Sequence, residues 1–118
     1  MNTKLAGRWG EEQAAQYLER KRYQIVGRNY SCRLGEIDLI AEDRDYVVFV
    51  EVKLRKNAAF AEAKEFVTAA KQRRVICAAE RWLAANPTKK QPRFDVIEVY
   101  GADGKIETIN HIENAFEV

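Results

Sequence analysis

Cysteine and histidine are nearly absent from this chain of 118 residues. It has two cysteines, Cys32 and Cys77, and one histidine, His111. Two thiols cannot build a disulfide scaffold or a cysteine-rich zinc site. A lone histidine near the C-terminal end reads as structural, which sets aside a histidine-centred zinc site. Cys32 stands beside Arg33, but the sequence offers it no obvious base, so it reads as inert. No apolar stretch approaches 18 residues and no apolar N-terminal segment precedes a cleavage site, so the expectation is a cytoplasmic protein without a membrane span. An excess of one charge is also missing. Twenty basic residues face eighteen acidic ones, for a net charge of +2. Proteins that hold DNA by bulk charge are usually more basic, so a polyanion would have to meet a local patch. There are no repeats or low-complexity tracts. The length suits one domain over residues 1–118, large enough to bury a core without disulfides or a structural metal.

What is present is a mixture of helical and strand patterns. Thr3 to Lys21 reads as an amphipathic helix capped by Asn2 or Thr3, with Glu11, Ala14, Ala15 and Leu18 on one face. Tyr23 to Val26 and Arg28 to Tyr30 read as a short extended stretch. Glu36 to Ala41 and Tyr46 to Leu54 are strands, joined by the polar turn Glu42-Asp43-Arg44-Asp45. Lys56 to Ala61 has no period and reads as a loop. A second helix is expected from Ala63 to Ala85, ending at Asn86-Pro87. Thr88 to Pro92 reads as a loop and Phe94 to Tyr100 as a strand. Lys105 to Ile109 returns beside that strand after the turn Ala102-Asp103-Gly104, and the tail from Glu113 reads as frayed. This order predicts an α/β domain of three layers, a mixed central sheet flanked by helices.

Two short stretches break the strand pattern, Gly35-Glu36-Ile37-Asp38 and Val50-Glu51-Val52-Lys53. The strand from Tyr46 has apolar residues on both faces, so it should be central and covered. A charged Glu51 there is costly unless it is paired or binds metal, and Asp38 has the same problem. A hairpin centred between Arg44 and Asp45 sets Asp38 opposite Glu51 and Glu36 opposite Lys53, with Cβ atoms about 5 Å apart. Mg²⁺, or Mn²⁺ in its place, takes such carboxylates, with the Val52 carbonyl as a third ligand. Lys53 would assist the attacking water and offset phosphate charge. An ordinary cross-strand Glu36–Lys53 ion pair is the plain alternative. Glu11 reads either as a further ligand or as the partner of Arg8 or Arg33. Lys71 and Gln72, with Arg55 and Lys56, read either as phosphate contacts or as a solvated face, and Arg73, Arg74, Lys89 and Lys90 extend that basic set. Arg93 and Asp95 read as an ion pair.

The combination of Gly7-Arg8-Trp9-Gly10-Glu11-Glu12, Arg28-Asn29-Tyr30, Gly35-Glu36-Ile37-Asp38-Leu39-Ile40, Phe49-Val50-Glu51-Val52-Lys53 with Arg55, Lys71-Gln72 and Arg93-Phe94-Asp95-Val96 resembles the YraN-like family. That family is similar to the archaeal Holliday-junction resolvases and to nucleases of the restriction-endonuclease-like PD-(D/E)xK fold. The resemblance spans nearly the whole chain. It implies that Asp38 and Glu51-Val52-Lys53 are the catalytic hairpin positions and that Glu11 joins the metal ligands Asp38 and Glu51. One departure is Ala61-Glu62-Ala63, where the family tends to have Gly and later Pro after the position of Phe60.

The function expected is therefore a Mg²⁺-dependent endonuclease acting on branched or structured DNA, working as a homodimer. The alternative is a nucleic-acid-binding or adaptor protein that keeps the fold with little turnover.

Overall fold

The strand with apolar residues on both faces lies at the middle of a five-stranded sheet. The computed structural model describes residues 3–55, 67–102 and 104–117. In chain order the elements are α1 (Thr3–Arg20), β1 (Gln24–Cys32), β2 (Gly35–Glu42), β3 (Tyr46–Arg55), α2 (Ala69–Ala85), β4 (Gln91–Ala102) and β5 (Lys105–Phe116). The sheet order is β1-β2-β3-β4-β5. Only β3 and β4 run parallel, and α2 lies in the connection between them. A parallel neighbour cannot be reached through a tight turn, so the chain must cross over one face.

Strand alternation divides the core. Val48 and Val50 pack with Leu39, Ala41, Ile97 and Val99 against Ala14, Ala15 and Leu18 of α1. Val47 and Phe49 pack with Ile40, Phe94 and Val96 against Val75, Ala78, Ala79 and Trp82 of α2. The two helices thus cover opposite faces of a mixed sheet, the three-layer arrangement that the element order predicts. Phe49 anchors the α2 side, meeting Trp82 edge-on at 5.8 Å and stacking on Phe94 at 5.6 Å between ring centres.

The β2–β3 hairpin has the expected register. Leu39, Ile40, Ala41 and Glu42 stand opposite Val50, Phe49, Val48 and Val47. Asp43 shapes the turn, its Oδ1 accepting from the backbone N–H of Asp45 at 2.9 Å and of Tyr46 at 2.7 Å. Pairing stops at Leu39 and Val50, one residue short of Asp38 and Glu51.

Four expectations need correction. The second helix begins at Ala69: Val67 and Thr68 lie outside it, and the Thr68 side chain caps it by accepting from the Lys71 N–H. Residues 56–66, which include Lys56 and Ala61-Glu62-Ala63, lie outside the described residues. Gln91 and Pro92 belong to β4. The Gln91 N–H bonds the Asp45 carbonyl at 3.0 Å, so the next amide position faces away from β3, where β5 pairs only from Phe94. A missing N–H at Pro92 therefore breaks no ladder bond. The first extended stretch is a full strand of nine residues. The tail from Glu113 is not frayed: β5 reaches Phe116, which is buried and stacks on Phe94 at 5.2 Å. The irregular register opposite Asp95 lets it do so, with Asn114 at φ 52° and its N–H bonded to Asp95 Oδ1 at 3.0 Å.

Gly35 sets how closely α2 approaches the hairpin. A Cβ there would lie 2.2 Å from the Arg74 carbonyl oxygen, a backbone atom that cannot swing aside. Gly35→Ala should destabilise the fold by about 1–3 kcal/mol in urea unfolding, because α2 must shift to relieve the overlap. An unchanged midpoint and slope would mean that α2 does not press on β2 at this point.

Candidate functional site

Asp38 and Glu51 sit where the β2–β3 ladder ends. Asp38 replaces the missing ladder bond with its side chain: Oδ2 accepts the Val52 N–H at 2.8 Å. That bond holds the Asp38 carboxylate against β3. Glu51 is the next residue along β3 from Val50 and is 4% exposed. The two carboxyl groups are in hydrogen-bond contact, which two fully ionised groups could not sustain. Burial, then the hydrogen bond and charge of Asp38, push the Glu51 carboxyl up to about 8, against the opposing pull of Lys71 and Lys53. Glu51 Oε2 is buried and accepts no hydrogen bond. A buried oxygen in that state lacks the hydrogen bond that buried polar groups normally have.

Lysines approach from two elements. Lys71, in the first turn of α2, places Nζ 3.6 Å from Glu51 Oε2 and 3.8 Å from Glu36 Oε1. A cation in a first helical turn opposes the helix dipole, so the acidic pair opposite provides its compensation. This is the partner that Glu36 adopts. The β2–β3 ladder ends before Glu36 and Lys53 face each other, and in the sheet Glu36 is matched with Ser31 of β1. Lys53 follows Glu51 by two residues, shares its face of β3 and acts on its charge.

Glu11 reaches the same region from the other side of the sheet. Burial and then the charge of Asp38 raise its carboxyl, the Asn29 amide lowers it, Glu36 raises it and Arg8 lowers it. Arg28 binds Glu12 at 2.8 Å, and Asn29, at φ 49°, presents its amide to Glu11. The Arg28-Asn29 pair thus ties β1 to two successive carboxylates of α1. Glu11 is not clustered with Asp38 and Glu51 as tightly as those two are with each other. Among the described residues, the one group of three or more metal-binding side chains within 4.8 Å is Asp95, His111 and Glu113.

The basic residues take distinct places. Gln72 donates its side-chain amide to the Val67 carbonyl at 3.0 Å and so also ties down the helix start. Arg55 Nε lies 3.5 Å from Glu98 Oε2. Lys90 binds Glu42 at 3.0 Å, at the opposite end of the β3–β4 pair from Arg55, roughly 30 Å away along the strands. Lys56 lies outside the described residues.

The Arg93–Asp95 ion pair read from the sequence is present, and it surrounds a second buried carboxylate. Asp95 is fully buried and takes a two-point ion pair from Arg93, Nε to Oδ1 and Nη2 to Oδ2, both at 2.9 Å. His111 Nε2 lies 2.7 Å from Oδ2, and the Asn114 N–H also donates. Burial pushes this carboxyl up, but His111, Arg93 and Asn114 outweigh it and hold it below its usual value. Arg93 in turn bonds Tyr23 Oη at 2.7 Å and lies 4.7 Å from the Tyr46 ring centre. Its guanidinium occupies the ground that a cation would need, so the cluster is an ion-pair network that pins β5 to β4.

The donor set at Asp38 and Glu51 suits a hard divalent ion. It offers two neighbouring carboxyl groups, one of them with a buried oxygen that makes no hydrogen bond, all oxygen ligands. The family model described as "Uncharacterised protein family UPF0102" matches residues 10–99, which contain Glu11, Asp38, Glu51, Lys53 and Lys71. The chain is 46% identical to a UPF0102 protein of Syntrophomonas wolfei, covering 98% of this chain and all of that one. It is 45% identical to one from Caldanaerobacter subterraneus, covering 98% of each. A third, from Lachnoclostridium phytofermentans, is 44% identical over 99% of this chain and 97% of its own length.

The raised Glu51 carboxyl has a signature in stability. Its folded pKa of about 8 lies above the value near 4.5 that it has when unfolded. Between those values the native chain holds a proton that the unfolded chain has released. Its contribution to stability is therefore complete below about 4.5 and declines as pH rises to about 8. In chelator-treated protein, Glu51→Gln should remove this part of the decline, so the two urea-unfolding profiles converge at low pH and separate towards pH 8. Parallel profiles would mean that Glu51 is ionised throughout.

Proposed function

We propose that this chain, which belongs to the UPF0102 family, is a Mg²⁺- or Mn²⁺-dependent endonuclease that hydrolyses phosphodiester bonds in branched or structured DNA. The observation that carries this reading is the neighbouring pair Asp38 and Glu51, with a buried Glu51 oxygen that makes no hydrogen bond and has only the Lys71 ammonium at 3.6 Å beside it. A fold does not fix a reaction, and this pair is the chemistry that needs an explanation. The resemblance of the hairpin to PD-(D/E)xK nucleases, and of the whole α/β arrangement to the restriction-endonuclease-like fold, points the same way.

In this reading Asp38, Glu51 and the Val52 carbonyl hold the ion, and Glu11 adds a carboxylate from α1. When bound, the ion supplies a Lewis acid that polarises the phosphate and offsets its charge. Lys53 Nζ, on the face of Glu51, is an ammonium that donates to the phosphate: as the water oxygen bonds phosphorus and gives its proton to solvent, the P–O bond to the leaving strand breaks and the leaving oxygen takes a proton from Lys53, which solvent restores. The Val52 N–H fixes the Asp38 carboxylate so that it does not rotate away. Lys71 holds Glu51 ionised when the ion is in place and balances the spare negative charge when it is not. A resolvase-like role needs two such sites at a fixed separation, which a homodimer would supply.

A second reading is favoured by one observation: Lys71 already faces Glu51 at 3.6 Å. If that ammonium is the permanent counter-ion, the protein is a nucleic-acid-binding or adaptor protein with little turnover.

The test combines metal uptake with cleavage. Calorimetry should show Mn²⁺ uptake by the parent and its loss in Asp38→Ala and in Glu51→Ala. With Mn²⁺ or Mg²⁺, four-way, flap, single-stranded and linear duplex DNA should separate cleaved from uncleaved substrates. Lys53→Ala should lower the cleavage rate by about 10²-fold or more, with metal uptake retained, as expected for a group acting on the transferred proton. Equal cleavage by the parent and Glu51→Ala would overturn the nuclease reading, and DNA binding without metal uptake would favour the second.

A further inference from the structure

The turn between β1 and β2 carries apolar surface that the fold does not use. Cys32 pairs with Gly35, so Arg33 and Leu34 alone form the apex. Such apexes favour Gly, Asn, Asp and Ser, small or polar residues that suit water. Leu34 is instead 54% exposed and belongs to neither core cluster. The apex is also braced, because Gly35 is buried and packs directly on the Arg74 backbone of α2. Three exposed cations gather round it. Arg33 is the neighbour of Leu34 in the turn, Arg74 meets Gly35, and Arg81 lines an open groove with Leu34 between the turn and α2. Among the described residues, none of the three has an ion-pair partner. Glu36 is taken by Lys71 at 3.8 Å, which leaves Glu80 as the one carboxylate lining that groove.

We propose that this apex is a wedge for DNA: Leu34 enters the base stack where it is interrupted, and Arg33, Arg74 and Arg81 hold the phosphates on either side. The proposal rests on the reading of Asp38 and Glu51 as a site of phosphodiester hydrolysis and names how that site recognises its substrate. Arginines without a carboxylate call for a polyanion, and phosphate contacts position a strand without reading its sequence. An apolar side chain among them calls for a partner with apolar faces between its charges, which stacked bases offer once they part. Opening a continuous stack costs free energy at each step, whereas a nick, flap or branch point has already lost that stacking. The apex therefore selects interrupted duplexes over continuous ones. It also sets a distance. From Leu34 the chain runs straight into β2 and reaches Asp38 after about 13 Å, the rise of about four nucleotides along one strand. The scissile bond then lies within about four nucleotides of the interruption.

Fluorescence of 2-aminopurine placed at a nick in duplex DNA reads unstacking, and anisotropy compares that duplex with a continuous one of equal length, both in chelator so that nothing is cut. The parent should brighten the probe and prefer the nicked duplex by about ten-fold or more. Leu34→Ser, a change that suits an exposed turn, should lose both effects, and Leu34→Met should keep them. Circular dichroism confirms that each variant compared is folded. Arg33→Gln and Arg74→Gln should weaken binding to both duplexes alike, each lowering the slope of log affinity against log salt by about one. A probe that stays dark with the parent, a preference that survives in folded Leu34→Ser, or Leu34-dependent binding to phosphatidylglycerol vesicles in place of DNA overturns the proposal. If brightening and preference both depend on Leu34 but metal uptake and cleavage fail, the wedge stands and the hydrolytic reading falls. If metal uptake and cleavage hold while brightening and preference are absent, the wedge falls alone.

Discussion

Two carboxyl groups meeting at the end of a hairpin ladder set the terms for the rest of this structure. Backbone pairing between β2 and β3 stops at Leu39 and Val50, and from there Asp38 uses its own carboxylate to hold β3. The choice places a second carboxyl, the buried Glu51, beside the half-buried first. Such a contact is stable only with a proton, a lysine or a metal ion between or beside the groups. Two neighbouring elements answer that demand and a third increases it. The close approach at Gly35 lets α2 come near enough for Lys71 to face Glu51, and β3 brings Lys53 on the same face, while α1 adds a further carboxyl, Glu11.

The sheet contains a built-in comparison. Asp95 and Glu51 are both buried carboxylates on neighbouring strands, yet they are treated in opposite ways. Asp95 receives two bonds from Arg93, one contact from His111 and one from the Asn114 amide, and its carboxyl is held below the usual range. Glu51 keeps an oxygen without a hydrogen bond, and its carboxyl is raised. The first pattern locks β5 to β4. The second leaves an oxygen of Glu51 without a hydrogen bond and its carboxyl raised, the pattern that marks candidate functional groups. Burying a carboxylate is costly in either case, so the difference lies in whether the fold itself supplies the compensation.

Much of this was legible in the residues. The apolar run of Val47 to Val50 marked the central strand, and the polar turn at Asp43 to Asp45 fixed a register that the structure repeats at Leu39–Val50. The juxtaposition of Asp38 with Glu51 followed from that register. Three features were not legible, each for a tertiary reason. The end of the ladder removed the Glu36–Lys53 pairing, because Asp38 bonds through its side chain instead of continuing the strand pair. The start of α2 at Ala69 turned Lys71 from a mid-helix surface residue into a first-turn cation, and only then does its need for an acidic partner become visible. The length of β5 depended on the bulge at Asn114, whose amide is satisfied by a side chain nineteen residues away in sequence, and local propensity carries no sign of it. Pro92 misled in a similar way: proline reads as a loop residue unless the side to which its missing amide points is known.

The central claim is that the touching carboxyls retain a proton which a divalent ion displaces. Carboxyl ¹³C NMR of Glu51 and Asp38 in chelator-treated protein, followed by Mg²⁺ addition at neutral pH, reads this at the groups themselves. The account predicts a Glu51 resonance that titrates well above the ordinary glutamate range, and that moves to the ionised position with release of a proton when Mg²⁺ is added. A Glu51 that titrates like an exposed glutamate, with neither carboxyl responding to Mg²⁺, would contradict it.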